Sequence, residues 1–378
     1  MKRRVKTGKR GTGRAAGPKG RPSTDVIEQM GVHRHEQVSH WYDPDSGYRG
    51  IIAIHNTALG PSLGGTRFWN YASYADALAD VLRLARAMTY KAAAAGLHLG
   101  GGKSVIIGDP SLNHRQRERV FRAHGRHVDS LAGRYITAED VNTSPRDMAW
   151  VAEETRHVSG LVGHSGDPSP VTAWGVFRAA QACARFVWGS DSVEGKTVAV
   201  QGVGAVGYHL CRFYREHGAS LVVSDVDPAK VRRAVTDLGA KAVSPHAIHG
   251  VKADIFAPCA LGGAINDDTV EAVRAPIVCG GANNQLTEAR HGDRLQRRGI
   301  VYAPDYVANA GGVITVGAER EGWSPEQARQ KTGEIYDTVL RVLEMARDQG
   351  IPSYRAADRL AEERVAQAER AKNLPHRT

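Results

Sequence analysis

Two lysines carry the chemistry most open to this chain. Lys91 and Lys103 flank a run of small residues, and Lys103 directly follows Gly100, Gly101 and Gly102. Glycines let the backbone close on a ligand and adopt conformations barred to other residues. An ammonium group offers a cation for carboxylates, and a desolvated one loses its proton readily enough to act as a base near neutral or mildly alkaline pH.

These residues need elements to position them. Tyr48 to His55 reads as a strand, dense in β-branched and apolar residues. Asn56 to Gly65 reads as a loop. Helical spacing of Ala75, Leu78, Val81, Leu82, Ala85 and Met88 predicts a helix over Tyr74–Met88, which delivers Lys91 just beyond its end. Ser104 to Gly108 is another strand, Arg115 to Leu131 a helix, and Tyr135 to Val141 a strand running into the loop of Asp140. Residues 25–164 therefore form an α/β domain.

Ser165-Gly-Asp-Pro-Ser-Pro170 is turn chemistry suited to a hinge, and Thr172 is placed to cap the helix from Ala173 to Val187. The strand Lys196–Gln201 leads at once into Gly202-Val-Gly204-Ala205-Val206-Gly207, an apolar helix, and the strand Ser220–Asp225. In that context the glycines are a dinucleotide fingerprint. The first makes the turn, the second admits the pyrophosphate, and the third lets helix and sheet pack. Free N–H groups at the helix start receive the anion. Asp225 can take both ribose hydroxyls and would repel a 2′-phosphate, which favours NAD over NADP.

Strands at Ala253–Ala257, Pro276–Gly280 and Gly299–Tyr302 continue the alternation through residues 165–324. Loops beyond strand ends bind ligands in such sheets, so Asn283, Asn284 and Asn309 should line the nicotinamide end. Residues 325–378 form a helical segment, with Thr332, Ile335, Val339 and Val342 on one face and an end that frays from Asn373.

The net charge of +10 is concentrated at one end. Nine basic residues precede the first acid, Asp25, in a stretch rich in Gly and Pro. Residues 1–24 should be a disordered tail with the features of neither a signal nor a transit peptide. Its attraction for nucleic acid is nonspecific and is not expected to be the function. Four cysteines with no CxxC pair argue for a reducing, cytoplasmic setting and against a zinc ribbon. No apolar run is long enough to span a membrane. His33 and His35 match no zinc spacing, and no metal site is assigned.

The ordered blocks Gly60-Pro-Ser-Leu-Gly-Gly-Thr-Arg67, Met88-Thr-Tyr-Lys91, Gly100-Gly-Gly-Lys103, Thr137-Ala-Glu-Asp140, Val200–Gly207, Ala257-Pro-Cys-Ala260, Ala282-Asn-Asn-Gln285 and Asn309-Ala-Gly-Gly312 resemble the glutamate, leucine, valine and phenylalanine dehydrogenase superfamily, most of all its leucine-specific branch. The resemblance spans all but the tail. It implies an N-terminal substrate domain, a Rossmann-type NAD domain and a homo-oligomer built through the first domain. It assigns the substrate α-carboxylate to Lys91, the backbone around Gly64 and Gly65, and the amide of Asn284. Lys103 becomes the lysine that activates water and Asp140 the group that exchanges protons with the substrate nitrogen. The reaction implied is oxidative deamination of an amino acid to a 2-oxo acid and ammonia.

Departures inside the family point to the side chain accepted. Where similar glutamate enzymes carry a lysine before the paired glycines, this chain has Leu63, and Val313 and Val316 stand in place of a hydroxyl. A γ-carboxylate would lie unpaired there. Ala138 with Val313 implies a pocket for branched aliphatic chains, where phenylalanine enzymes tend to have smaller residues. The alternatives are a phenylalanine-type activity and a non-catalytic NAD-binding protein tethered by the tail, against which the intact Lys91, Lys103 and Asp140 count. A hydroxy-acid dehydrogenase would use a histidine–carboxylate pair, and none occupies the expected place.

Overall fold

A computed structural model describes residues 24–161 and 167–373. The basic tail, the first residues of the hinge and the fraying end read from the sequence lie outside that range, except for Thr24 and Asn373.

The first part runs α1 (Val26–His33), β1 (Gln37–Asp43), β2 (Tyr48–Asn56), β3 (Ser62–Trp69), α2 (Tyr74–Ala94), β4 (Gly100–Ile107), α3 (His114–Asp129), β5 (Tyr135–Glu139) and α4 (Pro145–Ala152). Its sheet has the order β1-β2-β4-β3-β5. The outer pairs β1–β2 and β2–β4 are antiparallel, while β3 lies parallel to both β4 and β5. Alternation along β2 explains why both faces are covered. Ile51 and Ala53 pack with Leu78, Val81, Leu82 and Ala85 of α2, whereas Ile52 and Ile54 pack with Val128 of α3.

Three expectations are corrected here. Asn56 to Gly65 is not all loop, because β3 begins at Ser62 and contains both Gly64 and Gly65. The helix before Lys91 does not stop at Met88. The run Lys91-Ala-Ala-Ala94 favours helix and extends α2 to Ala94, which puts Lys91 in its last turn. The glycines before Lys103 also belong to a strand, β4.

The second part runs α5 (Ser169–Trp188), β6 (Thr197–Gln201), α6 (Ala205–Glu216), β7 (Ser220–Ser224), α7 (Pro228–Leu238), β8 (Lys241–Ala242), β9 (Ile255–Pro258), β10 (Ile277–Val278), α8 (Ala289–Arg297), β11 (Val301–Tyr302), α9 (Asp305–Ala308) and α10 (Gly311–Glu321). Its strands are all parallel, in the order β11-β10-β9-β6-β7-β8. This is a doubly wound sheet whose strand order reverses between β6 and β9, where such sheets bind ligands. Thr172 does not cap α5. Pro168 holds that position without a side-chain bond, and Thr172 lies in the first turn.

The remaining helices are α11 (Pro325–Gly333), α12 (Ile335–Gln349) and α13 (Ser353–Asn373). Thr332, Ile335, Val339 and Val342 are all buried, as their spacing predicts. Helix α13 returns to the first sheet's side of the molecule. Arg364 donates to the Ala93 carbonyl at 2.7 Å, and Tyr90 donates to Glu362 at 2.6 Å. Among the described residues no helix is long and apolar enough to cross a membrane.

Candidate active site

The charged residues singled out by the sequence gather where α2, β4 and the end of β5 face the Asn309 loop of the second part. Lys103, in the middle of β4, is 5% exposed, and its Nζ lies 3.0 Å from Oδ2 of Asp140, just past β5. Arg67 on β3 brings its Nε within 3.1 Å of the same oxygen and its Nη1 within 2.8 Å of Asp80. Tyr71 donates to that same Asp80 oxygen at 2.8 Å. Burial pushes Lys103 below the ordinary lysine range. Asp140 opposes the shift and the Arg67 guanidinium adds to it. Burial alone would raise Asp140, but Lys103 and Arg67 outweigh it and hold the carboxyl below its usual range.

Lys91 reaches the second part of the chain and donates to Oδ1 of Asn309 at 2.7 Å. The Asn309 amide nitrogen donates onward to Oδ1 of Asn283 at 2.8 Å and to the Gly281 carbonyl at 3.2 Å. Loss of hydration brings Lys91 down to about 8, against the pull of Asp305 and with the push of Lys103. Asp305 fixes the loop opposite: its carboxylate accepts from the N–H groups of Gln285 at 2.8 Å and Tyr306 at 2.7 Å. Asn284 adopts a left-handed backbone at the exposed rim of this loop.

Leu63, Val313 and Val316 belong to one apolar cluster that spans both sheets and includes Leu97, Leu99 and Ile136. Ala138 stands apart from that cluster, half-buried near the end of β5 and paired in register with Gly65. Thr172 lies under the Asn-Ala-Gly-Gly block, where a Cβ on Gly311 would meet its Cα at 2.7 Å.

The glycine fingerprint divides its labour as the chemistry requires. Gly202 has φ of 89°, and a Cβ there would strike the Ala260 backbone. A Cβ on Gly207 would come within 2.0 Å of the Gly202 carbonyl oxygen. At Gly204 a Cβ would meet nothing within 4 Å, so the protein fold does not demand that glycine and the empty space suits a phosphate. Gly204 caps α6 without a side-chain bond, and Ala205 and Val206 open the helix. Asp225 is pinned by the N–H groups of Val203 and Asp227, both at 2.9 Å. It lines a cavity of about 260 Å³ together with Gly202, Val226 and Leu261. The residues therefore fit a dinucleotide.

Arg67, Asp80 and Asp305 had no assigned role from sequence. Arg67 lies within a quoted block, but nothing in the sequence pairs it with Asp80 and Asp140, which come from other elements.

This arrangement, a buried lysine–aspartate pair beside a dinucleotide fold, with an apolar cluster shared between the two, is that of a two-domain amino-acid dehydrogenase. Residues 35–157 match the dimerisation domain of the Glu/Leu/Phe/Val dehydrogenases, and residues 163–229 and 225–373 match the Glutamate/Leucine/Phenylalanine/Valine dehydrogenase model. The chain belongs to that family. It is 53% identical to leucine dehydrogenase of Bacillus subtilis, covering 92% of this chain and 96% of that one. Valine dehydrogenase of Streptomyces coelicolor is 48% identical, over 88% of this chain and 93% of its own length. The crystal structure of L-tryptophan dehydrogenase from Nostoc punctiforme superposes with a TM-score of 0.83 at 43% identity, covering 91% of this chain and 99% of the other.

Proposed function

We propose that the protein catalyses NAD-dependent, reversible oxidative deamination of branched-chain aliphatic L-amino acids, namely leucine, valine and isoleucine, to 2-oxo acids and ammonia. The observation that carries this reading is the Lys103–Asp140 pair, 3.0 Å apart, together with the apolar cluster that joins Leu63 to Val313 and Val316. The likeness to leucine dehydrogenases supports the aliphatic side chain.

Lys91, the Gly64–Gly65 backbone and the Asn284 amide hold the substrate carboxylate, which leaves the side chain against the apolar cluster. Asp140 accepts a proton from the substrate ammonium. NAD, when bound, supplies the acceptor for the hydride leaving Cα. Lys103, its proton affinity lowered by burial, deprotonates the water that attacks the iminium carbon. Asp140 then returns a proton to nitrogen in the carbinolamine, and Lys103, having passed its proton to solvent, takes the hydroxyl proton as the C–N bond breaks, leaving ammonia and the 2-oxo acid. Asn283, Asn309 and Thr172 sit at the nicotinamide end, and Asp225 takes the ribose hydroxyls.

In this reading residues 25–164 bind substrate and assemble a homo-oligomer, residues 165–324 bind NAD, and the helices α11 to α13 brace the two in a cytoplasmic enzyme. Product analysis tests it. One NADH, one ammonia and one 4-methyl-2-oxopentanoate should form per L-leucine consumed, and NADH formed without ammonia would refute it.

A further inference from the structure

The two active-site lysines are answered by different acids. Lys103 has the Asp140 carboxylate 3.0 Å from its Nζ, on the same part of the chain. Lys91 bonds an amide instead, donating to Asn309 Oδ1 at 2.7 Å. The acid that acts on it belongs to the second part. Burial and the charge of Lys103 work against the Lys91 ammonium, and the charge of Asp305 works for it.

Helix α9 brings that acid to the lysine. It is a single turn, Asp305–Ala308, with Asn309 as its C-cap. The Asn309 N–H donates to the Asp305 carbonyl at 2.8 Å and closes the turn. Side chains four apart on a helix are neighbours on one face, so the Asp305 carboxylate accompanies the amide that holds the ammonium.

Both side chains are fixed by the segment 281–285. Asp305 accepts from the Gln285 N–H at 2.8 Å through Oδ2 and from the Tyr306 N–H at 2.7 Å through Oδ1. Asn309 donates to Asn283 Oδ1 at 2.8 Å and to the Gly281 carbonyl at 3.2 Å. The other titratable groups around Asp305 are Tyr302, Tyr306 and, from α13, Asp358. Burial keeps both hydroxyls from ionising, and Tyr306 donates to Asp358 at 2.8 Å. Arg86 and Glu362 act on Asp358. Burial raises Asp305 itself, opposed by its N–H donors and by Lys91.

We propose that Asp305 is the counter-ion of Lys91, a positioning residue on the cofactor part that keeps the ammonium of the substrate part charged for the substrate carboxylate and touches no substrate itself. The proposal rests on the assignment of the carboxylate to Lys91 made above. It has a sign that a structural role lacks. Removing the Asp305 charge takes away what favours the ammonium, so Lys91 should lose its proton below the value of about 8 that it has beside Asp305. At acid pH Lys91 is charged with or without Asp305, and carboxylate binding survives. At alkaline pH the variant has lost its cation. A role confined to holding the segment 281–285 would instead weaken binding equally at every pH.

The probe is 4-methylpentanoate, a carboxylate with the side chain of leucine and no amino group to titrate. Its Kd for the enzyme–NADH complex is measured by calorimetry from about pH 6 to about pH 10, across the lysine titration. Wild-type affinity should fall about tenfold for each pH unit above about 8. In Asp305→Asn the fall should begin about one unit lower, leaving affinity about tenfold weaker at the alkaline end and within about twofold of wild type at the acid end. Asp305→Glu keeps the charge and should restore the wild-type midpoint. A midpoint unmoved in Asp305→Asn, or displaced equally in Asp305→Glu, overturns the proposal, and so does a loss uniform across pH.

The double variant Lys91→Met/Asp305→Asn decides the case in which Asp305→Asn does not fold. Removing one partner of a buried pair leaves an unpaired charge and removing both does not, so the double variant should fold. Its failure to fold would make Asp305 structural and overturn the proposal. Wild-type binding with no alkaline midpoint overturns the Lys91 assignment and the proposal with it. The functional reading fails separately, when the wild-type enzyme forms no NADH from any amino acid.

Discussion

Arg67 and Lys103 approach the same oxygen of Asp140, at 3.1 and 3.0 Å. One carboxylate thus serves two cations, and neither neutralises it alone. Arg67 also bonds Asp80, so it is anchored from behind while Lys103 stays free to exchange its proton. Replacing Arg67 by Met leaves Asp140 to Lys103 alone and removes a positive charge that lowers the lysine. Both changes favour the protonated amine. The acid limb of kcat/KM should move to higher pH by about one unit, the size of a single lost charge interaction, and an unmoved limb would show that Arg67 does not tune the base.

The two lysines set opposite limbs of the pH profile. Lys103 must lose its proton to activate water, so the rate rises with pH through its depressed value. Lys91 must keep its proton to hold a carboxylate, and in the free enzyme that proton leaves at about 8. Hence kcat/KM should be bell-shaped, with the alkaline fall arising from KM rather than kcat. Lys103→Ala should lower kcat by roughly 10³-fold or more with NAD affinity retained; Lys91→Ala should act mainly on KM. Steady-state kinetics with NAD titrated by fluorescence separates the two.

Gly204 and Gly207 should part company on substitution. Gly207→Ala forces a Cβ against the Gly202 carbonyl and should cost ~1–3 kcal/mol of stability as overpacking does. Gly204→Ala meets no protein atom, so its melting temperature should fall less, while NAD Kd weakens about tenfold or more, roughly 1.4 kcal/mol. Calorimetry paired with a binding titration reads both. Equal effects of the two changes on NAD binding would remove the phosphate assignment.

Asp225→Ser should bring NADP into use by removing the charge that opposes a 2′-phosphate. Because Asp225 also accepts two backbone N–H groups, KM for NAD should rise as well. The ratio of kcat/KM for the two cofactors is the measurement, and a ratio unchanged from wild type would dismiss the ribose contact.

Sequence patterning revealed the elements that owe little to distant partners. The cofactor sheet was legible because β-branched strands alternate with helices and the glycine fingerprint falls at the strand–helix junction. Strand β3 was not. Its core, Leu63-Gly-Gly-Thr66, follows a proline and has the composition of a turn; tertiary approach of β4 and β5 imposes its extension. Lys91, Lys103 and Asp140 could be selected from their blocks. Their partners Arg67, Asp80, Asp305 and Asn309 meet only once separate elements fold together, a relation that spacing along the chain does not encode.

The most direct test of the central claim is the initial rate of NADH formation at mildly alkaline pH with L-leucine, L-valine, L-isoleucine, L-phenylalanine and L-glutamate, repeated with NADP. Fast turnover of the three branched aliphatic acids with NAD, and little with glutamate or NADP, is the predicted result. Preference for phenylalanine would contradict the pocket drawn from Ala138 and Val313, and no turnover of any amino acid would contradict the assignment of Lys103 and Asp140 to catalysis.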